Sequence, residues 1–216
     1  SHLTTNNRLV GDGIGPAGAD IDQTSTDYRR GYLAGMIRGD GMIFHGTYPS
    51  PERVRKVHMF RLALVDPEAL DRTREFLEAE DVPTRTRPFA AQTETRSAAN
   101  AIHTAARAGV ERIEQLILSP EEPNESWFAG FLGGIFDAEG SCSRGVLRIS
   151  NGDPELIRLI EQGMRAFDVP HIVEGARANG VRDVRVTGGL PSRQRFFAIA
   201  SPAITRKLDI IGTAVK

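Results

Sequence analysis

The chain has a single cysteine, Cys142, in 216 residues. One thiol excludes an intramolecular disulfide framework and a multi-cysteine zinc site, and it fits a reducing compartment. Lysine is almost missing as well: Lys56, Lys207 and Lys216 are the three, and the other 24 basic residues are arginine. Arginine offers a planar fork of donors that matches phosphates and guanine edges, whereas lysine is a hydrated point charge, so where the arginines fall matters more than their number. No apolar run approaches the roughly 18 residues that a membrane span needs, and no charged-then-apolar signal segment opens the chain. A cytosolic or nuclear location is therefore expected. An excess of one charge is lacking too: 27 Lys and Arg stand against 28 Asp and Glu, for a net charge of -1. That balance excludes a chain that binds polyanions by being basic all over. What remains, 40% hydrophobic and 25% charged residues, is the composition of an ordinary globular protein.

Residues 1–27 are rich in Gly, Asn, Thr and Asp and lack apolar periodicity, so they read as a loosely ordered arm. Within it Gly13-Ile14-Gly15-Pro16-Ala17-Gly18 matches a dinucleotide-binding fingerprint in letters only, because no strand precedes it and Pro16 sits in the turn. The opening Ser1-His2-Leu3, without methionine, is what a tag remnant or a segment cut from a longer polypeptide would show.

The remainder repeats itself. Asp66-Pro67-Glu68-Ala69-Leu70 recurs as Asp153-Pro154-Glu155-Leu156-Ile157, and Asp81-Val82-Pro83 recurs as Asp168-Val169-Pro170, both at an offset of 87 residues. Each pair brackets a helix with Asp at the N-cap, Pro at its first position and apolar residues at helical spacing; the Pro after each Asp-Val is expected to end it. Each half reads in the same order: an opening helix, two strands, the capped helix, two more strands and a final helix. The expected strands are 42–48 and 54–65, then 141–144 and 146–151, with further strands around Arg85-Thr86-Arg87, Val184-Arg185-Val186-Thr187 and Arg195-Phe196-Phe197-Ala198-Ile199. The halves are expected at 28–118 and 127–216, joined by a linker at 119–126.

The two opening helices are the most informative segments. Glycine inside a helix costs about 1 kcal/mol relative to alanine, yet Gly31, Gly35 and Gly39 recur every four residues, as do Gly130, Gly134 and Ala138. Such a stripe is useful where another backbone must come very close, and two matching stripes predict that each helix packs on the other. Each helix ends on a carboxylate followed by glycine, Asp40-Gly41 and Glu139-Gly140. The glycine reads as a left-handed stop. The carboxylate sits at the unfavourable negative end of the helix dipole. Brought side by side, two such acids need a cation. Oxygen-only ligation by Asp40 and Glu139, with neighbouring backbone carbonyls at Gly39 and Ala138 and with waters, suits Mg2+, and paired acids around divalent metal are the usual apparatus for phosphodiester hydrolysis.

Leu33-Ala34-Gly35-Met36-Ile37-Arg38-Gly39-Asp40-Gly41 and Leu132-Gly133-Gly134-Ile135-Phe136-Asp137-Ala138-Glu139-Gly140 resemble the two signature motifs of a LAGLIDADG homing endonuclease in its single-chain form. The resemblance covers residues 28–216 and implies an α+β fold of two pseudo-twofold αββαββα halves, with the motif helices at the interface and antiparallel sheets forming a DNA-binding saddle. It implies a monomeric, site-specific double-strand DNA endonuclease that leaves staggered 3′ overhangs at a long asymmetric site, initiating homing of a mobile element. It further implies Mg2+ as cofactor, with Mn2+ substituting and Ca2+ binding without turnover, and a cytoplasmic setting, nucleoid-associated in a prokaryote. The sixth motif residue is usually Asp; Asp137 keeps it and Arg38 departs from it. Basic residues near the metals are assigned to Lys207 and, by a rough internal match, Arg112, while Asn151 matches a polar strand-end position whose first-half equivalent is Leu64, which makes the two sites unequal. An RNA maturase that assists intron splicing, and a catalytically degenerate DNA-binding protein, are the alternatives within the same fold. The wording around Tyr28-Arg29-Arg30-Gly31-Tyr32 resembles intein-embedded endonuclease domains, and a chain ending Ala214-Val215-Lys216 would be the nuclease insert alone.

Charge by segment supports a DNA face without using the motifs. Residues 42–65, 84–107, 140–152 and 175–207 hold seventeen basic residues against three acids, so the overall neutrality combines a strongly basic part with an acidic remainder. The expected DNA contacts are Arg53, Arg55, Lys56, His58, Arg61, Arg85, Arg87, Arg144, Arg148, Asn151, Arg177, Arg182, Arg185, Arg193 and Arg195, with phosphate contacts fixing register and polar forks reading bases in the major groove.

Overall fold

The protein is described by a computed structural model over residues 21–48, 55–94 and 97–208. The arm before residue 21, with its Gly13–Gly18 fingerprint, and Arg53 lie outside the described residues. The first half runs α1 (Thr26–Asp40), β1 (Gly41–Tyr48), β2 (Arg55–Leu64), α2 (Pro67–Ala79), β3 (Arg85–Ala90), β4 (Ala99–Thr104) and α3 (Arg107–Leu116). The second repeats that order with α4 (Glu125–Glu139), β5 (Gly140–Ser143), β6 (Val146–Asn151), α5 (Pro154–Ala166), β7 (His171–Val173), β8 (Arg182–Val186) and α6 (Gly189–Ala200), followed by a 3-10 turn at Thr205–Leu208. Two four-stranded sheets, ordered β1-β2-β4-β3 and β5-β6-β8-β7, are antiparallel throughout. This is the expected α+β architecture of duplicated αββαββα halves. No helix among the described residues is long and apolar enough to cross a membrane.

The glycine stripes do what their spacing demands, and they do it reciprocally. A Cβ on Gly31 would collide with the Trp127 carbonyl, and one on Gly130 with the Tyr28 carbonyl; Gly35 faces the backbone of Phe131 and Gly134 that of Tyr32. α1 and α4 therefore pack backbone to backbone along their length. The flanks are filled by fully buried Tyr28, Tyr32, Leu33, Phe131 and Phe136.

Three local expectations are corrected. The segment around Arg195–Ile199 is helix α6, not a strand: Gly188 and Gly189 turn the chain in left-handed conformations (φ 81° and 72°), and Phe196, Ile199 and Ala200 then bury at helical i, i+3, i+4 spacing. The fourth strand of that sheet is instead β7, only three residues long. Gly41 and Gly140 are extended (φ -76° and -83°) rather than left-handed; a side chain there would strike Ile37 or Phe136 as the helix runs straight into the first strand. The capped helices are stopped by aspartate rather than proline, since Asp81 and Asp168 adopt positive φ (61° and 49°) and let Val82 and Val169 bond back to Leu77 and Met164.

Two apolar cores result, one per half, and the chain does not respect their border. Tyr28 and Ala34 of α1 belong to the second-half core. Ala203 and Ile204, which follow α6, belong to the first-half core with Leu33, Ile37, Phe60 and Leu70.

Candidate active site and nucleic-acid interface

Because α1 and α4 are each fifteen residues long and pack in register, their last residues, Asp40 and Glu139, meet at one end of the helix pair. Asp40 reaches solvent at the rim, yet the protein crowded around it raises its carboxyl pKa, with Lys207 pulling it partly back. Glu139 is raised by burial first and then by the charge of Asp40, again moderated by Lys207. The repulsion that Glu139 feels from Asp40 is what two like charges close together produce.

Lys207 packs against the C-terminal end of α4. Its Nζ donates to the carbonyl oxygens of Asp137 (2.6 Å), Phe136 (3.3 Å) and Ala138 (3.4 Å), so it caps the negative end of α4. Burial lowers its pKa. Two devices bring it there that the sequence did not announce. Asp137, 1% exposed, accepts from the Ala203 and Ile204 amides (2.7 and 3.0 Å) and from the Tyr32 hydroxyl (2.7 Å), fixing the backbone that leads to the 3-10 turn. Arg206 then donates through two nitrogens to Asp66 (2.5 and 2.6 Å), and Thr205 donates to Glu68 (3.0 Å). At the pseudo-symmetric place Arg38 reaches Glu155 (2.9 Å) and Asp153 (3.5 Å). The repeated Asp-Pro-Glu openings of α2 and α5 are thus receptors for an arginine from the opposite half. The repeat itself was the signal for that role.

Arg112 is not at this site. It donates to Glu80 (2.8 Å), which Arg30 also holds (3.2 Å), and Arg30 precedes Asp40 by ten residues, roughly 15 Å at the helical rise. The internal match failed because α3 lies at the far end of the helix pair, whereas Lys207 arrives on a segment that has left its own helix and crossed into the other half.

The donor set fits a divalent ion. No cluster of three or more His, Cys, Asp and Glu occurs among the described residues, so zinc-type ligation is not on offer. Two crowded carboxylates with adjacent backbone carbonyls at Gly39 and Ala138 match the one or two carboxylates, completed by water and substrate phosphate, that Mg2+ uses. Ala138 already receives a bond from Lys207.

The strand register sorts the proposed DNA contacts by face. In the first sheet Ile43, Phe60 and Leu62 face the helices, so the alternate residues Met42 and Arg61, which pair with each other, and then His103 and Arg85 share the open face, with Arg87 two residues along. His58 and Lys56 fall on the helix side. His58 shares a 2.8 Å hydrogen bond with His45, which bonds Glu114 of α3 (2.8 Å). These two are corrected as groove contacts. In the second sheet Leu147, Ile149 and Val184 face the helices, which leaves Arg148 and Arg185 on the open face and puts Asn151 and Arg182 on the other. The Asn151 side chain accepts from the Asp153 amide (2.8 Å) and starts α5. Arg144 sits with Gly145 in the β5–β6 turn, both at positive φ.

Arg193 is also corrected: it is buried and donates to the Gly145 carbonyl, bracing that turn from α6. Arg195, on the same helix, lies 3.8 Å from Asp168. Several of the remaining arginines are already neutralised. Arg177 and Arg148 share Asp183 (5% exposed), and Arg185 holds Glu174 at 2.6 Å. Arg85, Arg87 and Arg144 form no ion pair with any described residue. Arg55 opens β2.

This arrangement of two motif helices, two antiparallel sheets and an acid pair between them is the two-half LAGLIDADG fold. No family model matches the sequence, and no curated protein sequence does. Among solved structures, I-DmoI in complex with DNA and Mn superposes with a TM-score of 0.63 at 16% identity, covering 82% of this chain and 98% of that one. I-DmoI in complex with DNA and Ca gives 0.64 at 16%, over 83% and 92%. The N-terminal LAGLIDADG domain of DUF199/WhiA gives 0.57 at 15%, over 91% and 87%. At these identities the likeness defines the fold, and function rests on the site.

Proposed function

We propose that this protein is a site-specific, divalent-metal-dependent double-strand DNA endonuclease that starts the homing of a mobile element, acting as a monomer and most simply as the nuclease domain of an intein. The observation that carries this reading is the apposition of Asp40 and Glu139 at the ends of reciprocally packed helices, with a basic sheet starting from each acid. The same fold in I-DmoI is seen with DNA and with Mn or Ca.

Asp40 and Glu139, with the Gly39 and Ala138 carbonyls, hold the metal. Bound divalent ion supplies charge neutralisation at the scissile phosphate and a more acidic water. Lys207 stands beside Asp40 and caps the end of α4, and among the described residues no lysine does the same for α1. Arg85 and Arg87, which form no ion pair with any described residue, hold the duplex through its phosphates along a long asymmetric site, and the paired centre cuts the two strands at staggered positions. Mg2+ serves as the working ion, Mn2+ replaces it, and Ca2+ binds without turnover.

The missing first-half counterpart of Lys207 favours a second reading, a protein of this fold that binds DNA without cutting it. One experiment separates the two. A randomised duplex library is incubated with protein and Mg2+, and cut ends are sequenced beside a binding selection in EDTA. Cleavage that disappears in Asp40→Asn and Glu139→Gln supports the nuclease. Binding with no Mg2+-dependent ends supports the second reading, and full cleavage by both variants overturns the metal site.

A further inference from the structure

The open faces of the two sheets have different chemistry. On the first sheet the register gathers Met42, Phe44, Met59 and Arg61 on one face, and Arg61 lies 4.7 Å above the ring of Phe89, which places Phe89 there too. Phe44 and Phe89 are 38% and 48% exposed, large areas for aromatic rings on a folded surface. Gly46 keeps the patch open, since a side chain there would strike the Phe44 ring. Among the described residues the register places no acid on this face, and Arg85 and Arg87 form no ion pair. The open face of the second sheet carries Ser141, Ser143 and Ser150 with Arg148 and Arg185 around buried Asp183; apart from Val146 and Ile172 it is polar.

An apolar patch among unneutralised arginines matches one surface in particular, the major groove of a duplex whose bases carry methyl groups. Thymine alone presents a C5-methyl there, flanked by phosphates that arginine can reach. We infer that the first sheet reads its half-site through thymine methyl groups packed on Phe44, Phe89, Met42 and Met59, whereas the second sheet reads its half-site through hydrogen bonds. The inference rests on the DNA-binding reading above and deepens it.

The test uses the whole chain in EDTA, so that cleavage plays no part. A bound duplex is selected from a random library, and dT is replaced by dU in one half-site at a time, which removes only the methyl groups. Replacement in one half-site is expected to weaken binding about fourfold per contacted base, the worth of one buried methyl-sized group. Replacement in the other is expected to change nothing. Phe44→Ala or Phe89→Ala, both at exposed positions, should reduce the dT-over-dU difference in the sensitive half-site while the protein still binds. Equal affinity for dT and dU in both half-sites overturns the inference and leaves the DNA-binding reading standing, as does an undiminished difference in both variants. Enrichment of no duplex overturns both.

Discussion

Asp183 sits among the arginines that were expected to meet DNA, and it is the residue that most changes the charge reading. Burial works to raise its pKa, but the hydrogen bonds from Ser150 and Arg177 and the charges of Arg177 and Arg148 outweigh that and hold it below the ordinary value. A depressed carboxyl contributes stability that is present above its unfolded pKa, about 3.9, and is lost as pH falls through the lower folded value. Acid unfolding of the native protein should therefore steepen below about pH 4, and Asp183→Asn should flatten that limb. The same substitution frees Arg148 and Arg177, so DNA binding by the variant is expected to tighten at low salt and to fall more steeply with added salt; melting against pH and a salt titration of binding check the two parts. The sequence count placed these arginines correctly in the basic segments. It could not show that one acid opposes two of them, because ion pairing depends on cross-strand register.

The motif helices show how much an element can disclose before its structure is known. The four-residue recurrence of Gly31 and Gly35, and of Gly130 and Gly134, was enough to pair α1 with α4, because close backbone approach is the compensation for glycine in a helix. Gly130→Ala is expected to cost about 3 kcal/mol, the upper end of overpacking effects, and to separate Asp40 from Glu139; denaturant unfolding measures the first effect and loss of metal-dependent stabilisation the second. Elements without such a recurrence were harder to read. Arg195-Phe196-Phe197-Ala198-Ile199 reads as a strand from its mixture of polar with small and apolar residues, yet five residues are too few to separate that period from the helical one of α6. Strand β7, at three residues, is too short to leave any pattern. The helix-ending role of Asp81 and Asp168 was hidden behind the more conspicuous prolines beside them.

At the level of the molecule, the duplication was legible from the shared offset of 87 residues, and the crossing of the chain between halves was not. Ala203 and Ile204 look like the tail of the second half, yet Ile204 is 1% exposed in the core of the first. Ile204→Ala is expected to cost about 2–4 kcal/mol, as large-to-small core substitutions do. The loss should appear in the half to which the residue does not belong in sequence. Hydrogen exchange in β2 and α2, compared with β6 and α5, reads this directly, and equal loosening of both halves would contradict it.

The Asp137 latch onto Ala203 and Ile204 also sets an order of events. Asp40 and Glu139 leave the ribosome long before residue 203, so a nascent chain has both acids and no lysine beside them. Only when the last crossing segment has emerged and docked on Asp137, Asp66 and Glu68 does Lys207 arrive. A chain broken off between residues 140 and 207 would carry both motif helices and an incomplete centre. Assembly of the proposed centre is thereby tied to synthesis reaching residue 207.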